Sequence, residues 1–227
     1  MHVSGGDKVR NPKKVIYTSS YDRGLQHLLE IWPDVKKEVP EATLDIFYGW
    51  KLFDQFYKDN PASMSWKGKM LEMMKAEGVT DNDRVSQAEL TKEYESAGIF
   101  AYPAHFGEIN CISAIKAQAY GAIPVVINYA ALRETVQFGI KVDGDVYDRE
   151  VNQEFKKQLI WALQNEEWQK EVRKPMMEWA GNITWENVAK QWSSVFKGEE
   201  PLQVITSPQN PIVKIIDGYS GKDKSNG

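Results

Sequence analysis

Two short stretches of this chain bring together residue types suited to holding an anionic ligand. The first is Thr18-Ser19-Ser20-Tyr21-Asp22-Arg23-Gly24. It follows a β-branched and aromatic run and precedes a helical pattern. The helix dipole disfavours a cation at that place, so Arg23 becomes sensible if it faces a bound anion. Ser19 and Ser20 add hydroxyl donors, and Gly24 lets a ligand or a neighbouring backbone come close. An ordinary surface arginine after a turn accounts for the same letters. The second stretch runs from Gly98 to Val126. An apolar run ends at Pro103, a loop carries Glu108, and a helical pattern then reaches Tyr120 before Gly121. A helix start near Asn110, Cys111, Ile112 and Ser113 offers free backbone N–H groups and a positive dipole end, which suit a phosphate. Glu108 at that junction is either a routine capping and dipole choice or a carboxylate that faces the ligand.

The elements that must position these residues are legible as alternation. Val15–Thr18, Leu44–Tyr48, Arg84–Ser86, Ile99–Tyr102 and Ile123–Asn128 read as strands. Between them, apolar residues recur at helical spacing over Leu25–Val39, which contains Pro33 as a candidate break, and helices are expected over Ser63–Glu77, Ala88–Ser96 and Ala131–Gln137. Residues 50–62 read as an irregular excursion, and Val142–Asp148 as a loop or an edge strand. From Glu150 onward three consecutive helices are expected, over Glu150–Asn165, Glu166–Ala180 and Trp185–Phe196. In the last of these, Trp185, Val188, Trp192 and Phe196 form an apolar stripe that reads as core more readily than as a partner surface. Strands alternating with helices predict an α/β fold: a Rossmann-like, doubly wound parallel sheet with helices on both faces and a helical C-terminal region. In such a sheet ligands bind at the carboxyl ends of the strands, where both stretches fall. Residues 1–14 read as a linker or disordered tail, 15–197 as the domain, and 198–227 as a C-terminal tail.

The 227 residues are enough for one well-cored domain, and 42% apolar with 26% charged residues is an ordinary globular composition. Twenty-eight basic against 32 acidic residues give a net charge of −4, which argues against a general nucleic-acid or anionic-membrane binder. A single cysteine, Cys111, excludes an internal disulfide and fits a cytoplasmic setting. The three histidines and the cysteine show no metal-ligand spacing, so no metal is expected. No glycine-rich dinucleotide fingerprint, phosphate-loop lysine motif or nucleophile elbow is present, and Asp143-Gly144-Asp145 lacks the rest of a calcium loop.

The second stretch resembles the donor-binding segment of the GT-B glycosyltransferases of group 1 (family 4 type). Glu108 matches the first glutamate of their signature, and Ala117 to Gly121 with Pro124, Val125 and Val126 match its tail. Arg23-Gly24 matches their cation-glycine pair. The resemblance covers about Val15 to Phe196. It implies one half of a GT-B fold, the half that binds a nucleoside-diphosphate sugar, and transfer of that sugar to an acceptor hydroxyl on a glycan, lipid or small molecule. It further implies retention of anomeric configuration and no metal or other cofactor. By the resemblance, Arg23, helped by Ser19, Ser20, Gly24 and the amides and side chains from Asn110 to Ser113, stabilises the departing diphosphate. Glu108 orients the donor sugar, since a carboxylate can accept two hydrogen bonds from vicinal hydroxyls. Gly49 and Ser86 lie at strand ends that line the base and ribose pocket.

Two departures stand out. Lys116 occupies the place of the second glutamate, which accepts hydrogen bonds from ribose, and lysine accepts none. Thr18-Ser19-Ser20 replaces a glycine-arginine pair. Both suit an alternative reading, a catalytically degenerate binding or scaffolding module. The family's other domain is not in this sequence, so an N-terminal GT-B domain is an expected partner, and any peripheral membrane attachment is expected through that domain.

Overall fold

The computed structural model describes residues 9–200, 208 and 211–219. Its centre is a seven-stranded sheet in the order β3-β2-β1-β4-β5-β6-β7, with every neighbouring pair parallel. The strands are β1 (Asn11–Tyr17), β2 (Thr43–Ile46), β3 (Val79–Asp81), β4 (Ala97–Tyr102), β5 (Ile123–Ile127), β6 (Gly139–Asp143) and β7 (Val213–Asp217). Nine described helices connect and extend them: α1 (Leu25–Glu38), α2 (Lys51–Tyr57), α3 (Pro61–Met73), α4 (Gln87–Ser96), α5 (Ile112–Tyr120), α6 (Leu132–Thr135), α7 (Arg149–Gln164), α8 (Glu166–Ala180) and α9 (Trp185–Phe196). Helices α1, α3 and α7 share one face of the sheet, and α4, α5 and α8 the other.

The central strands β4 and β5 are buried at every residue, as expected of a parallel sheet covered on both faces. α1 buries Leu25, Leu28, Leu29, Ile31, Trp32 and Val35 along one stripe. It runs unbroken through Pro33, which is exposed. An interior proline costs about 3 kcal/mol. Burial of the stripe offsets that cost, so the expected break does not occur.

Several boundaries differ from the sequence reading. β1 begins at Asn11, inside the expected linker, because its lysines find partners. Lys14 Nζ lies 2.5 Å from Glu93 and 2.9 Å from Asp45, and Lys13 Nζ donates to the Leu163 carbonyl at 2.5 Å. The remainder of that linker, residues 1–8, lies outside the described residues. β3 sits at Val79–Asp81 rather than Arg84–Ser86, where the chain instead forms a loop that ends in the cap of α4. The irregular excursion holds α2 and the start of α3, which Asn60 caps by accepting from the Ser63 N–H at 3.0 Å. β6 is an interior strand, and β7 pairs beside it within the expected tail. Ile212, Ile216 and Tyr219 pack against the core there, and Lys214 Nζ sits 3.2 Å from the Trp161 ring centre. The rest of that tail, apart from 198–200, 208 and 211–219, lies outside the described residues.

The stripe on α9 does not join the core. Trp185 is 79% exposed, Trp192 57% and Phe196 81%. Helical periodicity identifies an apolar face without saying what covers it.

β1 and β4 approach closely where Gly98 faces Pro12. A Cβ on Gly98 would lie 2.2 Å from the Pro12 carbonyl oxygen. Gly98→Ala must therefore part the two central strands, and is expected to lower stability by about 1–3 kcal/mol in a urea titration.

Candidate functional site

The chain crosses from β3 over to β4, so the strand order reverses between β1 and β4. Loops leave in opposite directions at that switch point and open a crevice at the carboxyl ends of the strands. The loop after β1 carries residues 18–24, and the loop after β4 carries 103–111. Gly24 holds the two together. Its φ of 114° is a glycine conformation, and a Cβ there would lie 2.2 Å from the Pro103 carbonyl oxygen. The neighbouring backbone, not a ligand, fills the space that the missing side chain leaves.

This approach brings Arg23 and Glu108 together. Arg23 Nη1 lies 3.2 Å from Glu108 Oε1, and the guanidinium carbon sits 4.0 Å from the Phe106 ring centre. The same Glu108 oxygen accepts from the Tyr102 hydroxyl at 2.8 Å, and Tyr102 meets Ser19 Oγ at 3.1 Å. Burial and the adjacent carboxylate push the Tyr102 phenol well above its ordinary value, so it stays a donor. Glu108 does not lie in the first turn of α5. That helix begins at Ile112, four residues later than a junction at Glu108 predicts, after Cys111 at φ 42°. A helix-capping role for Glu108 is thereby removed, and its carboxylate turns back to Arg23.

The first bond within this turn is donated by Ala114 to the Cys111 carbonyl at 3.0 Å. The N–H groups of Ile112 and Ser113 thus precede the helix's own hydrogen bonding, at the positive end of its dipole. Ser113 Oγ donates to the Thr18 carbonyl at 3.2 Å, and Thr18 Oγ1 meets the Tyr94 hydroxyl at 2.6 Å. Asn110 is exposed. Cys111 is buried, and its thiol is pushed up to about 12, chiefly by burial, which leaves it protonated and unreactive at neutral pH. Ser20 offers its carbonyl to the Tyr17 hydroxyl at 2.8 Å.

A cavity of about 260 Å³ lies beside this turn, walled by Tyr48, Arg84, Val85, Ile112, Ser113 and Lys116 among others. Lys116 points into its rim and donates to Gln87 Oε1 at 2.6 Å, so its partner is an amide rather than an acid. Ser86 is engaged elsewhere: it caps α4 in a capping box with Glu89. Gly49, at φ 80°, turns its open face to the Asp83 carboxylate. Ser86 and Gly49 therefore shape the loops behind the cavity, while Ser113 and Lys116 line it.

Tyr102 and Phe106 were not singled out by sequence reasoning. Tyr102 closes an apolar run and reads as core. Its place as the last residue of a central parallel strand was the available signal. Phe106 is an isolated loop aromatic, and nothing in its spacing marks it.

On the other side of the loop after β1, the rings of His27, His105 and Tyr147 meet, with centroids 4.9 Å apart for His27–Tyr147 and His105–Tyr147 and 5.7 Å for His27–His105. Among the described residues, no three His, Cys, Asp or Glu side chains gather as a metal set. No described helix is long and apolar enough to cross a membrane.

The family described as glycosyl transferases group 1 matches residues 6–179. No curated protein sequence matches the chain. Among solved structures, the chain is similar to a pneumococcal O-GlcNAc transferase in complex with UDP and GlcNAc, at 14% identity and TM-score 0.61, over 84% of this chain and 36% of that one. It is also similar to sucrose-phosphate synthase from Thermosynechococcus elongatus, at 18% identity and TM-score 0.65, over 82% of this chain and 45% of that one. The catalytic domain of starch synthase IV from Arabidopsis thaliana, bound to ADP and acarbose, aligns at 15% identity and TM-score 0.57, over 85% and 39%. At these identities the likeness establishes the fold, and this chain spans less than half of each of the three structures.

Burial holds both His27 and His105 below the ordinary imidazole value of 6.5. Glu30 and Asp145 oppose the shift at His27, and Asp22 and Asp145 oppose it at His105. At mildly acid pH the unfolded chain therefore binds more protons than the folded one. Their contribution to stability is complete above pH 6.5 and is lost as pH falls through the lowered values. The melting temperature should drop between about pH 7 and about pH 5, and His27→Gln should flatten that slope in differential scanning calorimetry.

Proposed function

The chain belongs to the glycosyl transferases group 1 family, and from that premise we propose that it is the donor-binding half of a GT-B enzyme. It binds a nucleoside-diphosphate sugar at the switch point and supports transfer of the sugar to an acceptor hydroxyl. The observation that carries this reading is the pairing of Arg23 with Glu108 beside the open start of α5.

The diphosphate would lie between Arg23 and the amides of Ile112 and Ser113. Arg23 commits one nitrogen to Glu108 and keeps further guanidinium donors for phosphate oxygens. As the bond from the anomeric carbon to the diphosphate oxygen breaks, negative charge grows on that oxygen. Fixed donors already aimed at it stabilise the growing charge without reorganising. Glu108, steered by Arg23 and Tyr102, would accept hydrogen bonds from sugar hydroxyls. The base and ribose would enter the cavity walled by Tyr48, Arg84 and Val85. Lys116 cannot accept from the ribose hydroxyls, so the ribose would be held by Ser113 and by the cavity walls. Retention of anomeric configuration and independence from metal are part of the proposal, and rest on the family.

The other half, with most of the acceptor site, would be an N-terminal GT-B domain, either on the same polypeptide or on another chain. The apolar face of α9, left exposed by the described residues, supports that reading, since rings this exposed gain by being covered. The second reading is a module that keeps the fold and has lost turnover. It is favoured by Lys116 and by Thr18-Ser19-Ser20, where the family carries a carboxylate and a glycine-arginine pair.

Ligand-observed NMR with a panel of nucleoside diphosphates and nucleotide-sugars tests the proposal. Saturable binding of one nucleotide is expected. Arg23→Ala should weaken the diphosphate and its sugar alike by roughly tenfold, the usual worth of one hydrogen bond to a charged group. Glu108→Gln should weaken the nucleotide-sugar more than the bare diphosphate. Equal binding by wild type and Arg23→Ala would sink the assignment.

A further inference from the structure

The inference concerns the far side of the loop after β1 and rests on the donor-binding reading above. There a cavity of about 400 Å³ is framed by Tyr21, Asp22, Phe53, Tyr57, Ser63 and Trp66, with His27, His105 and Tyr147 closing its end. A string of rings lines its wall, with Trp50 behind the lining. Tyr21 meets Trp50 at 4.8 Å between centroids, Trp50 meets Phe53 at 5.4 Å and Trp66 at 5.9 Å, and Phe53 meets Trp66 at 5.3 Å and Tyr57 at 4.9 Å.

Tyr21 is buried and Trp50 and Trp66 pack against the core, which fastens α2 and α3 to the sheet, but the outer rings do more than that. α2 buries none of its residues, α3 buries only Met70, and Tyr57 is 42% exposed. The excursion presents aromatic surface to solvent at the mouth of a cavity. It also holds that surface firmly, because Trp66 Nε1 donates to Gln26 Oε1 at 2.7 Å and Lys67 Nζ lies 2.6 Å from Asp54.

The charge beside the rings bears on the occupant. Asp22 and Arg23 are neighbours on one turn, yet they serve opposite sides. Arg23 reaches Glu108 in the crevice, whereas the exposed Asp22 borders the aromatic cavity. A carboxylate there repels a second phosphate and accepts hydrogen bonds from neutral hydroxyls. Aromatic faces carry negative charge and attract the slightly positive C–H face of a pyranose. A mostly apolar cavity with a few polar groups at its edge is the usual form of a small-ligand site. We propose that this cavity is a subsite for a neutral sugar ring of the acceptor, so that the loop after β1 separates donor phosphate from acceptor glycan. The acceptor class is then a carbohydrate, rather than a lipid or another small molecule.

The test is saturation-transfer NMR on the full chain with maltotriose, cellotriose, mannotriose and chitotriose, each taken to roughly 20 mM, with UDP, GDP and ADP titrated into parallel samples. At least one trisaccharide should bind saturably. Tyr57→Ala should weaken it by roughly tenfold or more and Asp22→Asn by a smaller factor, both with an unchanged melting curve, while Arg23→Ala leaves it intact. Nucleotide binding should follow the reverse pattern. Nucleotide binding without any trisaccharide, or trisaccharide binding indifferent to Tyr57→Ala, would overturn the subsite and leave the donor reading standing. Trisaccharide binding that depends on Tyr57, without any nucleotide, would uphold the carbohydrate site and remove the donor reading. Absence of both would remove both.

Discussion

The loop after β1 touches the loop after β4, and the contact exists because residue 24 has no side chain. Gly24 adopts a φ of 114°, and the Pro103 carbonyl occupies the place where a Cβ would stand. Any other residue would meet both a strained backbone and a clash. The neighbouring Arg23 is thereby carried across the switch point to Glu108. Tyr102 sits at the end of β4 and reaches both Glu108 and Ser19. One glycine contact thus sets the register between the cation, the carboxylate that orients it, and the open start of α5.

That arrangement has an electrostatic logic. Arg23 and Glu108 satisfy each other, and both are partly buried, with side chains 35% and 13% exposed. A cation at this point opposes the positive end of α5, and the carboxylate relieves that opposition. An arriving diphosphate would meet a guanidinium that is already aimed and stacked on Phe106. The loss of the ribose carboxylate at Lys116 leaves this set untouched, because Lys116 is held at the cavity rim by Gln87. Of the two departures from the family, Lys116 bears on how a nucleoside would be gripped, and Thr18-Ser19-Ser20 on how a diphosphate would be.

Much of this was legible in the sequence because burial on both faces of a parallel sheet writes continuous apolar runs. β4 and β5 announce themselves that way, and the stripe of α1 does so at helical spacing. Arg23 stood out because its charge opposes the helix dipole, and Glu108 because it falls at a loop-to-helix junction and matches the first glutamate of the family signature. The misses have physical causes. The lysines of β1 read as linker, since a sequence does not show that Asp45 and Glu93 await Lys14. β7 is a short edge strand inside a proline-flanked segment. Tyr102 was hidden because a strand-end tyrosine looks like core. The α9 stripe was read as buried because periodicity reports a face and not its cover. The rings of the excursion after β2 fell in a stretch without a clear period, and only the fold gathers them around one cavity.

The account depends most on the claim that the start of α5 and the loop after β1 hold a nucleoside diphosphate. The direct measurement is an amide NMR titration of the 15N-labelled chain with UDP, GDP and ADP. The account predicts that one of them moves the amides of Ile112, Ser113, Arg23 and Gly24 most, with smaller shifts at Arg84 and Val85. Shifts confined to Asp143–Tyr147, the segment that follows β6, or no shifts with any of the three, would contradict it.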